Sequence, residues 1–268
     1  MNFGLNGKVA FVAGASSGIG KAIAWEFANE GVKVAIGART ASRLEATATE
    51  IMDVTGSDVL PVCMDITDRT QIEVTMNATV EHFGRLDILV TNSGSAPKGN
   101  IDELDDATWE RGWQLYFQMH VNLIRAALPH LRANEPKWGR IITVTSFSAK
   151  RAMEGLLLSS SLRSGVDGLV RSLASQLAPE GITVNNVAPG YTLTEQLDRS
   201  IHERCTKRGI TREELVAEMV RNIPIGRISQ AEEHAAAVAF LASTRAGSIT
   251  GQTIVVDGGV GDKAVRIW

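Results

Sequence analysis

Short apolar runs alternate with longer amphipathic segments along the whole chain, and this alternation constrains the fold more than any other feature. The runs lie at 9–13, 32–37, 59–64, 86–91, 141–145, 183–188 and 253–256. They are largely apolar rather than apolar at every second residue, which is typical of parallel strands buried on both faces. The segments between them, including 70–82, 109–131, 161–177 and 231–242, have helical periodicity.

Parallel strands joined through helices need crossover connections, which place helices on both faces of the sheet. The sequence therefore predicts an α/β fold, a single Rossmann-like, doubly wound parallel sheet of seven strands. No Pro-rich or Ser-rich linker divides the chain, so residues 1–268 are predicted to form one domain. The polar stretch at 191–227 is predicted to be a substrate lid, with a solvated helical excursion as the alternative.

Composition narrows the classes of function. The 27 Lys and Arg residues against 30 Asp and Glu give a net charge of -3, so we expect no nucleic-acid partner. No apolar run approaches the roughly 20 residues of a membrane helix, and the first ten residues do not resemble a signal peptide. We therefore expect a cytoplasmic protein without a membrane partner. Two cysteines, Cys63 and Cys205, make neither a disulfide framework nor a metal cluster, so no metal site is predicted.

A glycine-rich turn follows the first predicted strand and opens the first predicted helix. It reads Gly14-Ala15-Ser16-Ser17-Gly18-Ile19-Gly20. Glycines let the backbone approach a pyrophosphate closely, and free N–H groups at the helix N-terminus bind its charge. The turn therefore predicts a dinucleotide site, with contacts from Gly14, Ser16, Ser17, Gly18, Ile19 and Gly20.

The end of the second predicted strand bears on the choice of dinucleotide. NAD sites carry an acidic residue there for the ribose 2′-hydroxyl, whereas this strand ends Gly37-Ala38-Arg39. Because an arginine suits a 2′-phosphate, NADP(H) is favoured as the cofactor, with NAD(H) as the alternative. Arg39 could instead be a solvated side chain at a helix start.

Further motifs follow in order: Cys63-Met64-Asp65-Ile66-Thr67, Thr91-Asn92-Ser93-Gly94, Gly139-Arg140-Ile141-Ile142 leading to Ser146, Val184-Asn185-Asn186-Val187-Ala188-Pro189-Gly190, and Ile249-Thr250-Gly251-Gln252 leading to Val256-Asp257-Gly258-Gly259. Together with the glycine turn, they resemble the short-chain dehydrogenase/reductase family over nearly the whole chain, including its bacterial 3-oxoacyl-acyl-carrier-protein reductases. The resemblance implies a nicotinamide dinucleotide and a homotetramer or dimer packed through two long central helices. It also implies further cofactor contacts from Asp65, Ile66, Asn92, Gly94, Arg163, Pro189, Gly190 and Thr192.

The resemblance implies a catalytic set from which this chain departs. Family members protonate the substrate with a tyrosine in Tyr-x-x-x-Lys, whose lysine lowers the tyrosine pKa, while an upstream serine binds the substrate oxygen. Ser146 matches that serine. Counting 13 residues further leads to Ser159 in place of the tyrosine, and Arg163 stands in place of the lysine. The run Arg163-Ser164-Gly165-Val166-Asp167-Gly168-Leu169 resembles the family's Lys-Ala-Ala-Val-x-Gly-Leu, which gives the same alignment independently.

The family's asparagine, which supports a relay water from an earlier helix, is also replaced. Trp109 and Leu128-Pro129 align its position with Tyr116, whereas Asn122 lies six residues later on another face of the helix. The chain has only two tyrosines, Tyr116 and Tyr191, so no shift of alignment restores Tyr-x-x-x-Lys.

Each substituted position has a catalytic and a structural interpretation. In the catalytic one, Ser146 and Ser159 bind the substrate oxygen and Arg163 binds ribose hydroxyls or a developing anion. Either Tyr116, with His120 as its partner, or water supplies the proton. In the structural one, Arg163 is a packing or interface arginine and Ser159 caps a helix. Tyr116 and His120, one helical turn later, are then core or interface residues.

Two functions follow from these interpretations. The first is an NADP(H)-dependent oxidoreductase acting on a small-molecule carbonyl or alcohol, by default a carbonyl on an acyl chain. The second is a non-redox protein of the same fold that keeps the dinucleotide site, such as a cofactor-binding regulator, a scaffold subunit, or a lyase or isomerase.

Overall fold

The computed structural model, which describes residues 2–94 and 97–261, contains one parallel sheet. The strands are β1 (Val9–Ala13), β2 (Lys33–Ala38), β3 (Val59–Cys63), β4 (Ile88–Thr91), β5 (Gly139–Val144), β6 (Ile182–Pro189) and β7 (Thr253–Val256). Their order in the sheet is β3-β2-β1-β4-β5-β6-β7, so the order reverses between β1 and β4. The predicted seven-stranded, doubly wound sheet is confirmed.

Helices cover both faces because successive side chains of each buried strand point to opposite sides of the sheet. Val12 packs in a core shared with Phe27 and Val238. Its neighbour Phe11 packs in the opposite core with Leu123 and Val166. The helices of the described residues are α1 (Gly18–Asn29), α2 (Ala41–Thr55), α3 (Arg69–Phe83), α4 (Asp106–Trp113), α5 (Met119–Arg132), α6 (Leu157–Leu177), α7 (Glu195–Arg208), α8 (Arg212–Arg221) and α9 (Ala231–Ala242).

The single helix predicted over 109–131 is instead interrupted. A π-helical turn, Gln114–Gln118, separates α4 from α5, and Tyr116 lies within it. Hydrophobic periodicity does not reveal such a turn, because it inserts only one residue into an otherwise helical pattern. The helix predicted over 161–177 begins earlier, at Leu157.

The stretch predicted to be a lid contains α7 and α8, which share a small core of their own. Ile201 of α7 and Leu215 and Met219 of α8 pack against Phe147, which directly follows Ser146. The segment therefore packs against the turn that begins at Ser146, a predicted site residue. Along the described ranges, none of the helices combines the length and apolar character needed to cross a membrane.

Candidate active site

The glycine turn lies at the carboxyl end of β1, where the strand order reverses, which is where doubly wound sheets bind ligands. A Cβ on Gly20 would lie 2.2 Å from the carbonyl oxygen of Gly14, so only glycine fits there. The amide of Asn92 donates to the carbonyl oxygens of Ala13 and Gly14, both at 3.3 Å, and so supports the turn from β4. The Ser17 side chain makes no capping hydrogen bond to α1, which leaves the first helical amides available to an anion. The turn fits a dinucleotide pyrophosphate.

The residues predicted to contact the adenosine side of the cofactor lie where β2 and β3 end. Arg39 directly follows β2 and is exposed, and its carbonyl oxygen accepts a hydrogen bond from the Cys63 thiol at 3.3 Å. Asp65 accepts hydrogen bonds from both the amide and the hydroxyl of Thr67, which fix its turn; Ile66 is half-buried beside it. These residues share the carboxyl edge of the sheet with the glycine turn.

The end of β6 brings together Pro189, Gly190 and Thr192, three predicted cofactor contacts, with a histidine that the sequence did not single out. The Thr192 hydroxyl donates to the Gly190 carbonyl oxygen at 3.1 Å and lies 2.8 Å from Nε2 of His234. Burial lowers the pKa of His234 to about 4, so its imidazole is neutral near pH 7. In the tautomer with a proton on Nε2, the neutral His234 ring donates to the Thr192 oxygen and fixes its orientation.

Three serines connect the loop after β5 with α6. The amide of Ser148 donates to Oγ of Ser146 at 3.2 Å, and the hydroxyls of Ser148 and Ser159 lie 2.8 Å apart in a buried contact. Ser159 lies inside the first turn of α6, and the N-cap position is Leu156. The interpretation of Ser159 as a helix cap is therefore wrong. Ser148 was missed because its only sequence signal was its position two residues after Ser146.

Arg163 lies one helical turn beyond Ser159 and is 7% exposed. Its Cζ lies 4.2 Å from the ring centroid of Tyr116, over the ring face. Burial lowers the pKa of the Arg163 guanidinium, and this effect is opposed by the charge of the Tyr116 phenol and a hydrogen bond with it. The structure thus pairs a phenol with a buried cation. Arg163 is enclosed within its own chain, which does not fit the interface interpretation.

His120 lies behind this pair. Its Nδ1 is 2.6 Å from the hydroxyl of Thr91, and burial together with the charge of Arg163 lowers its pKa to about 3. Across the described part of the chain, neither Nε2 of His120 nor Nε of Arg163 has a hydrogen-bond partner, although both atoms are buried. An unpartnered buried donor on Arg163 fits a polar group of a bound ligand. Asn122 instead accepts a hydrogen bond from Gln118, which supports its exclusion from the site.

A buried carboxylate on α6 also holds the loop that follows β5. Asp167, one turn after Arg163, accepts hydrogen bonds from Asn186 at 3.0 Å and Thr253 at 2.9 Å. Its other oxygen lies 2.6 Å from Nζ of Lys150, which ends the short turn carrying Ser148. The loop is therefore tied to α6 at two levels, by a serine pair and by an ion pair.

Comparison with known proteins agrees with this geometry. The family model described as enoyl-(acyl carrier protein) reductase matches residues 14–261. The 3-oxoacyl-[acyl-carrier-protein] reductase FabG of Escherichia coli is 35% identical over 264 residues, covering 97% of this chain and 99% of that protein. L-sorbose reductase from Gluconobacter frateurii, solved with NADPH and L-sorbose, superposes with a TM-score of 0.93 at 30% identity, covering 98% of this chain and 100% of that chain.

A third similar structure is that of another oxidoreductase. The NADPH-bound structure of a short-chain oxidoreductase from Pseudomonas aeruginosa PAO1, described as containing an atypical catalytic center, is 32% identical with a TM-score of 0.87. The alignment covers 96% of this chain and 98% of that chain.

The chain belongs to the short-chain dehydrogenase/reductase family, which confirms the predicted membership and its likeness to 3-oxoacyl-acyl-carrier-protein reductases. It is an oxidoreductase of that family, and NADP(H) is its favoured cofactor, in accordance with the NADPH-bound structural relatives. The non-redox alternative gains no support from these relatives.

Proposed function

We propose that this protein reduces a ketone or aldehyde carbonyl to an alcohol with NADPH, and that Tyr116 takes over the proton-donating role of the family's missing tyrosine. The single observation that carries the proposal is the contact between Tyr116 and Arg163, 4.2 Å from ring centroid to Cζ. A guanidinium stabilises the phenolate that remains after the proton has been given up. The pair has the same composition, phenol and cation, as the family's tyrosine and lysine.

The serines provide a binding site for the substrate oxygen. Because Ser148 N–H already donates to Oγ of Ser146, the Ser146 hydroxyl proton remains available to a carbonyl oxygen. The hydrogen bond between Ser148 and Ser159 holds the loop at a fixed distance from α6. Ser159 acts with Ser146 at the substrate oxygen, and the role assigned to Arg163, whose buried Nε has no hydrogen-bond partner among the described residues, is to bind the ribose or the developing negative charge.

The reaction balances with these groups. NADPH held at the glycine turn would supply the hydride that bonds to the carbonyl carbon. The C=O π electrons move onto oxygen, and the O–H bond of Tyr116 breaks to give that oxygen its proton. A carbonyl and a phenol thus become an alcohol and a phenolate held beside Arg163, and the phenolate is reprotonated from solvent. The glycine turn, Arg39, Asp65 and Ile66 hold the cofactor for this step.

The substrate class is drawn from the relatives' names. One relative reduces 3-oxoacyl groups on acyl carrier protein and another reduces L-sorbose, and both substrates carry a ketone. A 3-oxoacyl thioester is the first candidate because several similar curated proteins are named as 3-oxoacyl-[acyl-carrier-protein] reductases. A polyhydroxylated ketone is the second.

A panel assay tests the proposal. Purified protein is mixed with NADPH and, in turn, with simple ketones, aldehydes, ketoses and 3-oxoacyl thioesters, and oxidation of the cofactor is followed by absorbance. We expect turnover with at least one carbonyl class and a lower rate with NADH. Binding of NADPH without turnover of any member would contradict a carbonyl reductase.

We further propose that 191–227 acts as a lid and that two or four copies associate through α5 and α6 in the cytoplasm. Trp113, at the end of α4, is 38% exposed and stacks on the half-buried Phe117 just before α5, at a centroid distance of 4.5 Å; this exposed ring beside the start of α5 supports an interface on that side of the molecule. Sedimentation velocity tests the association, with a monomer as the contrary result.

A further inference from the structure

A surface depression adjoins the glycine turn on the side of α2. It is lined by the turn residues Ser16, Ser17 and Gly18 and by the charged residues Lys21, Arg43, Glu50 and Glu195. Lys21 is paired with Glu50 of α2 at 2.5 Å, so that both partners belong to the cofactor-binding half of the chain. Arg43 differs because its partner comes from the proposed lid.

Glu195 is the first residue of α7 and lies 152 residues from Arg43 in sequence. One guanidinium nitrogen of Arg43 donates to both carboxylate oxygens of Glu195, each at 2.7 Å. The hydrogen bond and the charge of Arg43 hold the pKa of Glu195 below its usual value. The preceding residue, Thr194, lies 3.2 Å from where a Cβ on Gly18 would be, so the start of α7 rests directly on the glycine turn.

Arg43 is well placed for a ligand phosphate. It stands in the first turn of α2, four residues after Arg39, and faces the depression that Ser17 also lines. The glycine turn itself contains no basic residue, since it reads Ala15-Ser16-Ser17 between its first two glycines. A second basic contact to the phosphate therefore has to come from another segment. A dianionic phosphate attracts a planar guanidinium more strongly than a monoanionic carboxylate does, because it offers more charge and more acceptor oxygens.

We propose that Arg43 is a second specificity-determining arginine for the 2′-phosphate of NADP(H), and that Glu195 of the lid competes with this phosphate for it. Binding of the phosphorylated cofactor then transfers Arg43 from Glu195 to the phosphate and frees the first turn of α7. The unphosphorylated cofactor offers no such group and leaves the ion pair intact. The inference rests on the proposed binding of NADP(H) at the glycine turn and is independent of turnover and of the assignment of Arg39.

The experiment measures dissociation constants of NADPH and NADH, by fluorescence of the reduced nicotinamide at low salt, for Arg43→Gln, Glu195→Gln and the double variant. Arg43→Gln should weaken NADPH binding by about 5- to 30-fold and change NADH binding by less than about twofold. Glu195→Gln should strengthen NADPH binding by about two- to fivefold, since exposed ion pairs contribute little. This gain should vanish in the double variant.

Asp198→Asn is the matched control. Asp198 lies on the same helix, has the same 56% side-chain exposure as Glu195, and pairs with Arg212 at 2.6 Å outside the depression. Asp198→Asn should leave the dissociation constants of NADPH and NADH unchanged. Equal effects of Arg43→Gln on the two cofactors, or a Glu195→Gln gain that persists without Arg43, would overturn the proposal. Arg39→Ala separates the two sites: if it leaves the preference intact while Arg43→Gln removes it, the assignment of Arg39 fails and that of Arg43 stands.

Discussion

The guanidinium of Arg163 lies over the ring of Tyr116, with 4.2 Å between Cζ and the ring centroid. The two residues come from α6 and from the π-helical turn before α5, so they are far apart in sequence. The family places its phenol and its cation one turn apart on the same helix. Here the helix keeps the cation, as Arg163, and a neighbouring segment supplies the phenol.

Cofactor preference tests the assignment of Arg39. We expect wild-type protein to bind NADPH at least about tenfold more tightly than NADH, because a charge-assisted contact to the 2′-phosphate contributes about 1.5 to 3 kcal/mol. Arg39→Ala should remove most of that preference while leaving NADH binding near its wild-type value. Isothermal titration calorimetry with NADPH and NADH measures this preference. Equal affinities of the wild-type protein for the two cofactors would rule out the assignment of Arg39.

Restoring the family residues tests the alignment. Ser159→Tyr with Arg163→Lys should place a phenol beside a lysine, and carbonyl reduction should appear or rise, with strong non-additivity because neither change alone completes the pair. Tyr116→Asn should be combined with them, since the Tyr116 ring occupies the space beside residue 163. A folded triple variant that binds NADPH but shows no gain over any of the three single variants on the carbonyl panel would indicate a wrong alignment.

The buried Asp167 carboxylate should contribute strongly to stability. Asp167→Ala removes hydrogen bonds to Asn186 and Thr253 and the partner of Lys150, and we expect the free energy of unfolding to fall by about 2 to 4 kcal/mol. Urea denaturation measures the change. The matched control is Glu73→Ala, which removes an exposed ion pair with Arg69 and should cost less than about 0.5 kcal/mol. Similar losses of unfolding free energy in both variants would show that the contacts of Asp167 contribute no more to stability than an exposed ion pair.

Two buried histidines should make the protein lose stability in mild acid. The pKa of His120 is lowered to about 3 and that of His234 to about 4, whereas an unfolded histidine titrates near 6.5. Between these values the unfolded chain binds more protons than the folded one, so stability decreases as the pH falls below about 6.5. For one such histidine the loss between pH 7 and pH 5 is about 2 kcal/mol at most.

The His234→Gln variant isolates this effect. Glutamine can still donate to Thr192 but does not titrate, so its loss of unfolding free energy between pH 7 and pH 5 should be about 1 to 2 kcal/mol smaller than that of the wild type. His202→Gln, at an exposed position on α7, is the control and should follow the wild type. Identical pH dependence in all three proteins would contradict the buried neutral state of His234.

The sequence predicted what local patterns encode. Buried strands and the Gly14 to Gly20 turn follow from contiguous residues, and the alignment of Ser159 and Arg163 follows from spacing. The partner of Arg163 could not be predicted with the same force, because it depends on a π-helical turn that shifts the face on which Tyr116 lies. His234 was missed because a histidine within the apolar helix α9 has no local signal of its contact with Thr192.

The most direct test of the central claim is the turnover number of Tyr116→Phe with NADPH and whichever carbonyl the panel identifies. Phenylalanine keeps the ring beneath Arg163 and removes only the hydroxyl. If Tyr116 supplies the proton, kcat should fall by about 100- to 10,000-fold while the dissociation constant of NADPH stays within about twofold of the wild-type value. A kcat within about threefold of the wild type would contradict the account, since Tyr116 would then be a core residue and water would supply the proton.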